Sequence, residues 1–588
     1  MQAREANPAV RFRRVLTGRG PLGVAAMALA VGIGGAFSSV LFAWAIEGVS
    51  HLVTWLIAHL SWIGLIGAAA LGGLIVGLMV YFFAREAKGH GVPEVMAAIA
   101  LRGGRIRPRV VAVKGIASAI TIATGGSAGR EGPIVQVGAA LGSTIGQWFK
   151  VSEGNLKTLV ACGAAAGIAA TFNAPIGGVF FAMEVILGDW DGARFGLITL
   201  SSVAAAALAH AIMGDHPALV ELSYTLKSAW ELGLYVLLGV FIMLVAQLYT
   251  RVLYYTEDLF DESKRVPDWV KPAIGGVLFG VLGLVLPVTL GRGEDVVHAL
   301  LSGHLPEQVS GWTMLGPALI LLLVGLGKIL STSLTIGSGG SGGIFFPGLF
   351  IGAAFGGSFG HVANAVAPGV TASPGAYALV GMGAFFAGMT HAPITAIVML
   401  FEMTRDYRII LPLMLTSAVA ATLSRWVHPE SIYTLKLVRQ GIRLRRGQEV
   451  GALQSLTAAD VMIRKVDVVH ETDTVGDVIA FMQRTHHTGF PVLDDEERLV
   501  GIISLSDIRR IPLHGRLERK VSSVMTRPVI AVPPTANLEM VTQIMTQRDI
   551  GRVPVIDPDG DDRLLGFITR SNILNAYNTK LLEREAQS

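Results

Sequence analysis

Of the 588 residues, 52% are hydrophobic and only 15% are charged, with a formal net charge of +4. That balance excludes an ordinary soluble protein and places most of the chain in a bilayer. Cys162 is the single cysteine, so no intrachain disulfide framework is expected. The basic balance is read as a cytoplasmic rim rather than nucleic-acid binding, because no basic and aromatic stripe accompanies it.

The Arg-rich start (Arg4, Arg11, Arg13, Arg14) precedes an apolar run, Val24 to Ala45, with no small-residue cleavage site after it. This run is therefore expected to be an anchor rather than a removed signal. Further runs at Leu65 to Phe83, Leu234 to Leu248, Ile274 to Leu290 and Leu315 to Leu330 are long enough, or nearly so, to span a bilayer. Basic residues at Arg102, Arg105, Arg107 and Arg109, and again from Lys436 through Arg446, place those segments and both termini on the cytoplasmic side of a cell membrane.

Within this apolar background stands Gly126-Ser127-Ala128-Gly129-Arg130-Glu131-Gly132-Pro133. An ionisable residue at membrane depth is costly and marks a functional site. Pro133 suits a first helical turn, and the glycines let backbone N–H groups approach a ligand.

The membrane part carries the same marks twice. Asn173-Ala174-Pro175 is followed nine residues later by Glu184, and His391-Ala392-Pro393 nine residues later by Glu402. Pro133, Gly138 and Gly142 have the spacing of Pro347, Gly352 and Gly356. Paired glycine-broken helices of this kind indicate a transporter of inverted repeats, with its site where the broken helices meet. Gly129 to Pro133 and Gly342 to Pro347 then present two helix N-termini to one place, which favours an inorganic anion.

Four segments carry a family resemblance: Gly129-Arg130-Glu131-Gly132-Pro133, Gly89-His90-Gly91-Val92-Pro93, Gly343-Ile344-Phe345-Phe346-Pro347, and Tyr433. In this order they resemble the signature segments of the CLC chloride channel and transporter family, over roughly Gly20 to Gly441. The resemblance implies an all-α polytopic fold of inverted repeats and a homodimer with one pore per subunit. It also implies that Glu131 is a gating carboxylate that can occupy an anion position. The N–H groups of Ile344 and Phe345 and the Tyr433 hydroxyl would line the central anion position, with Gly129, Arg130, Gly132, His90 and Gly91 around it. No cofactor is implied for transport.

The sequence departs from that pattern twice. His90 stands where the family usually has serine, so an imidazole or backbone alone must replace the hydroxyl. Val185 stands where proton-coupled members carry an internal glutamate, and valine cannot relay a proton. A channel-like mechanism is therefore expected, with a proton-coupled chloride antiporter on the same fold as the rival. A nucleotide-sensing membrane protein without transport is a rival of another class. Enzymatic activity is not expected, since no nucleophile and base pair, metal cluster or phosphate loop is present.

After about Gly441 the composition becomes that of a soluble module. Val461-Met462, Pro491-Val492 and Gly501-Ile502-Ile503-Ser504 recur as Val524-Met525, Pro554-Val555 and Gly566-Phe567-Ile568-Thr569. This resembles a tandem CBS pair with α+β copies. The expected partition is a membrane domain at 1–441, a linker at 442–455, one copy at 456–512 and the second copy with its tail at 513–588. CBS pairs commonly bind adenine nucleotides (ATP, ADP or AMP), which would place Ser504 and Asp507 on phosphate and ribose, with Thr569 in the second copy. Asn572 replaces the second aspartate.

Plainer readings stand beside these. Gly138 and Gly142 suit close helix packing, and Tyr433 an aromatic belt. His90 could be solvated near a cytoplasmic loop. Glu184 and Glu402 could be structural carboxylates held by backbone donors, and Asp507 a helix-start residue.

Overall fold

The computed structural model describes residues 20–576 except 215–218, 220–223, 225, 264, 311–314, 441, 443–455, 486, 513–515, 549, 558–562 and 574. The expected linker and the Arg4 to Arg14 cluster lie outside the described residues, apart from Ile442. Contacts divide the chain into two units, Met1–Leu444 and Arg445–Ser588.

Proline and glycine set the helix boundaries of the first unit. Its helices are α1 (Pro21–Phe83), α2 (Val92–Arg102), α3 (Arg109–Ala123), α4 (Glu131–Trp148), α5 (Glu153–Phe172), α6 (Pro175–Phe180), which continues as a π-helical turn over Phe181–Leu187, and α7 (Gly192–Met213). They are followed by α8 (Glu231–Glu262), α9 (Lys271–Val285), α10 (Glu294–Leu301), α11 (Glu307–Ser310), α12 (Pro317–Gly337), α13 (Phe345–Val366), α14 (Pro374–Thr390), α15 (Pro393–Thr404), α16 (Ile410–Val427) and α17 (Ile432–Arg439). A proline occupies the first or second helical position of α1, α2, α6, α9, α12, α14 and α15, where its missing N–H costs nothing.

Among the described residues, seven helical stretches are long and apolar enough to cross a membrane. Two expected spans differ in extent. The Val24 to Ala45 run does not end near Ala45, because α1 continues for 63 residues and breaks only at Ser61, whose φ is 50°. The Ile274 to Leu290 run stops being α-helical at Val285, because Leu286 precedes Pro287 and takes φ −129° and ψ 71°.

The repeat is visible in the backbone itself. Asn173 and His391 end their helices in the left-handed region, with φ of 53° and 59°. The following alanines, Ala174 and Ala392, have φ/ψ of −124°/74° and −123°/73°. Each half then caps the other. Glu184 accepts hydrogen bonds from the Thr395 N–H and hydroxyl, both at 2.7 Å, at the start of α15. Glu402 accepts from the N–H groups of Ile176 (2.9 Å) and Gly177 (2.6 Å) at the start of α6. These carboxylates satisfy helix donors that have no partner within their own helices. Replacing either with alanine should destabilise the protein by about 2 kcal/mol for the helix donors left open. Thermal melting in detergent checks this, and an unchanged midpoint for both variants would contradict the reciprocal cap.

Small residues bring the helices of each half together. A Cβ on Gly138 would lie 2.1 Å from the Gly163 carbonyl oxygen where α4 crosses α5. A Cβ on Gly352 would lie 2.6 Å from the Gly381 carbonyl oxygen where α13 crosses α14. The packing reading of Gly138 therefore holds, and Gly142 packs the same way against the Leu159 carbonyl at 2.1 Å.

In the second unit, β1 (Val469–His470) lies parallel to β2 (Gly489–Leu493), and β2 pairs antiparallel with β3 (Leu499–Ser504), Phe490 opposite Ile503. A second sheet joins β4 (Arg552–Ile556) to β5 (Leu564–Thr569) antiparallel, Val553 opposite Ile568. The charged turn after β2 is closed by Asp494, whose carboxylate accepts from the Arg498 N–H at 2.8 Å. Most of the matching turn, at 558–562, lies outside the described residues.

The two copies exchange their entry segments. Ile463 bridges to Phe567 in β5, and Thr526 bridges to Ile502 in β3. Ala458 consequently packs with Leu538, Val541, Val553 and Ile568 of the second copy, while Val521 and Met525 pack with Val475, Phe490 and Ile503 of the first. Each core is thus built from residues of both sequence copies.

Candidate anion site between the repeats

The site forms where the starts of α4 and α13 meet. Gly129 and Gly343 exchange both backbone hydrogen bonds, at 2.8 and 2.7 Å, and so hold the two broken segments side by side. The Gly129 N–H is thereby committed to the Gly343 carbonyl. Its role is spatial, since a Cβ there would lie 2.0 Å from Glu131 Oε2.

The Glu131 side chain is buried, and its carboxylate lies over the first turn of α13, where Oε2 accepts the Phe346 N–H at 3.4 Å. Gly343 lines the same spot, its Cβ position 3.3 Å from Oε2. The carboxylate of one repeat thereby sits at the helix N-terminus of the other, where the helix dipole favours a negative charge.

On the other side of Glu131 lies the Gly89 to Gly91 loop. Gly89 and Gly91 take φ of 77° and 87°, a region that favours glycine. A Cβ on Gly132 would lie 2.2 Å from the His90 carbonyl oxygen, so α4 starts directly against this loop. His90 is 2% exposed, and neither ring nitrogen has a hydrogen-bond partner within the protein. A solvated histidine is therefore ruled out. Its ring lies 5.7 Å from that of Tyr433, itself 1% exposed, which removes the aromatic-belt reading as well. Phe345 packs its ring against Phe172 and Phe386, at 5.2 and 4.5 Å, closing the site with apolar side chains.

Arg130 is held by its other neighbours. Its guanidinium donates to the Thr171 carbonyl at 3.3 Å and lies 3.9 Å from Glu294. Together with Thr171, Asn173, His210 and Phe346, both residues line a cavity of about 240 Å³. Val185 is fully buried in the π-helical turn, one residue after the Glu184 cap.

The sequence reading missed two buried lysines. Lys114 Nζ donates to the carbonyls of Ala87 (3.1 Å) and Gly89 (2.6 Å). Lys328 Nζ donates to the carbonyls of Thr289 (3.0 Å) and Gly291 (2.8 Å). The lysines are separated by the same interval as Pro133 and Pro347, and each pins a Gly-X-Gly loop: Gly89-His90-Gly91 and Gly291-Arg292-Gly293. Their signal was a lone cation inside an apolar helix. Arg292, which pairs with Glu294 at 3.0 Å, is the middle residue of its loop as His90 is of the other.

The nucleotide corner expected in the second unit is closed on itself. Asp507 Oδ2 accepts from the Ser504 N–H (2.9 Å) and hydroxyl (2.5 Å), a capping box. Asn572 accepts from the Thr569 N–H (2.9 Å) and hydroxyl (2.5 Å) in the same way. The helix-start reading of Asp507 is the one this geometry displays.

Paired inverted repeats, broken helices and a buried carboxylate facing a helix N-terminus define a membrane transporter or channel. The family model described as voltage gated chloride channel matches residues 72–425, and the CBS domain model matches 458–514 and 521–579. The chain belongs to the voltage-gated chloride channel family. An H(+)/Cl(−) exchange transporter ClcA of Vibrio cholerae serotype O1 is 34% identical over 438 residues, 71% of this chain and 90% of that protein. Chloride channel protein CLC-f of Arabidopsis thaliana is 29% identical over 571 residues, 84% of this chain and 71% of that protein. Among solved structures, a slow cyanobacterial Cl−/H+ antiporter aligns with a TM-score of 0.63 at 25% identity, over 71% of this chain and 97% of that chain. A eukaryotic CLC transporter aligns with a TM-score of 0.65 at 20% identity, over 93% of this chain and 97% of that chain, a likeness of fold.

Proposed function

We propose that this membrane protein carries chloride through a path gated by Glu131, passively rather than by proton exchange. The observation that carries the reading is the Glu131 carboxylate seated between Gly129 and Gly343 on the first turn of α13, the place an anion would take. A carboxylate there closes the path, and neutralising or displacing it opens the path. The N–H groups of Ile344 and Phe345, at the start of the same helix, and the Tyr433 hydroxyl serve as uncharged donors, which bind an anion without trapping it. Gly91 and Gly132 keep the His90 loop close. Arg130 acts from the neighbouring cavity.

Passive transport is favoured by Val185, which has no titratable group, and by Glu184, whose carboxylate is occupied as a helix cap. The second reading, chloride and proton exchange, is favoured by the named activity of the Vibrio cholerae relative. The basic positions Arg102 to Arg109 and Lys436 support a cytoplasmic orientation for that face and for both termini. The chain then comprises a membrane domain at 1–441, a linker at 442–455 and CBS copies at 456–512 and 513–588, assembled as a homodimer. An adenine nucleotide at the CBS pair would have to open the Ser504–Asp507 capping box.

Chloride efflux from proteoliposomes, with valinomycin to clamp the potential, tests the transport reading. Wild-type efflux above that of empty vesicles is expected, and none would favour a sensor whose membrane part only anchors it. His90 supplies a second test. The protonated ring nitrogen has no acceptor within the protein, and a passing anion provides one. His90→Leu should therefore slow efflux about tenfold, while His90→Ser restores a donor and most of the rate. Equal rates in all three proteins would remove His90 from the path.

A further inference from the structure

Beside the Gly89 to Gly91 loop, at the end of the membrane unit that also carries α17, Arg85, Lys88 and Lys271 gather around Asp268. The C-terminal end of α1 and the N-terminus of α9 enclose a cavity of about 120 Å³ lined by Tyr81, Arg85, Lys88, Asp268, Lys271 and Ser338, among others. Lys271 is 5% exposed, and its Nζ holds the Asp268 carboxylate at 2.7 Å. That hydrogen bond keeps Asp268 below the usual carboxylate range, and the charges of Lys88 and Arg85 act in the same direction. Lys88 also pairs with Asp261 at 2.8 Å, and Arg85 lies over the Tyr81 ring at 5.1 Å.

The Asp268 side chain is itself 73% exposed, so the carboxylate neutralising a buried ammonium sits on an open loop and can be displaced. The cavity also adjoins a lipid-facing surface. Tyr81, Phe82 and Phe83 are 38%, 68% and 61% exposed at the end of α1, where a spanning helix would meet the headgroups. Basic pockets between helix ends at this level bind phosphate-bearing headgroups.

We infer that the Arg85, Lys88 and Lys271 cavity is a binding site for the phosphate of an anionic phospholipid headgroup, with Asp268 occupying it when no lipid is bound. Its acyl chains would run along the exposed aromatic end of α1. A free phosphate shares the chemistry but lacks that apolar contact.

The test uses the full chain in a neutral maltoside detergent, with melting followed against dioctanoyl phosphatidylglycerol, dioctanoyl phosphatidylcholine and inorganic phosphate. Phosphatidylglycerol should raise the melting midpoint, and the other two should not. The Arg85→Gln, Lys88→Gln double variant should need about tenfold more phosphatidylglycerol for half the effect. Asp268→Asn, which removes the competing carboxylate, should need several-fold less. An equal response to phosphatidylcholine, a response to inorganic phosphate alone, or an unchanged dose in Asp268→Asn would overturn the assignment. None of these readings depends on chloride flux.

Discussion

Glu131→Gln should carry chloride faster than wild type at neutral pH and lose the dependence of flux on pH. Wild-type flux should rise as the pH falls, because protonation removes the charge that holds the side chain on the first turn of α13. Glutamine has the same shape without that charge. The lost charge-assisted contact with the Phe346 N–H and the helix end is worth about 1–2 kcal/mol, or roughly tenfold in the open population. Glu131→Ala should behave alike, since it also vacates the position. Efflux from proteoliposomes between acid and neutral pH checks both variants. A glutamine variant that keeps the wild-type pH profile would show that another group is the gate.

Gly163→Val should abolish folding rather than tune function. Its Cβ would lie 1.9 Å from the Gly138 carbonyl oxygen and 2.4 Å from the carbonyl carbon, so α4 and α5 cannot keep their crossing. Separating them moves the start of α4, which carries Glu131, away from α13. Overpacking a tight core costs about 1–3 kcal/mol for a modest clash, and a backbone contact this short exceeds that range. The expected result is loss of monodisperse protein in detergent, and a stable variant with normal efflux would contradict the crossing. Gly381→Val should fail in the same way, because its Cβ would lie 2.5 Å from the Gly352 carbonyl oxygen.

Much of this architecture was legible because the sequence repeats itself. Pro133 and Pro347 mark helix starts, and the Asn173 and His391 turns recur with matching backbone angles. What a linear reading could not supply was which groups consume each other. Gly129 was expected beside the anion, but the bond of its N–H to Gly343 joins residues far apart in sequence and could not be read from the chain. Glu184 and Glu402 were recognisable as a pair, but their exchange of caps depends on how the two halves interlock. Lys114 and Lys328 were overlooked because each stands alone in its helix, and their meaning lies in the loops they pin. The exchanged entry segments of the CBS pair were likewise hidden, because strand order along the chain does not say which core a segment joins.

The proposed chloride path is passive, with no titratable residue at Val185. The most direct measurement places the reconstituted wild-type protein under an outward chloride gradient in weakly buffered medium and follows external pH. Chloride should leave the vesicles with no uphill proton movement. Proton uptake driven by the chloride gradient, abolished by a protonophore and absent in Glu131→Gln, would contradict the account and establish exchange.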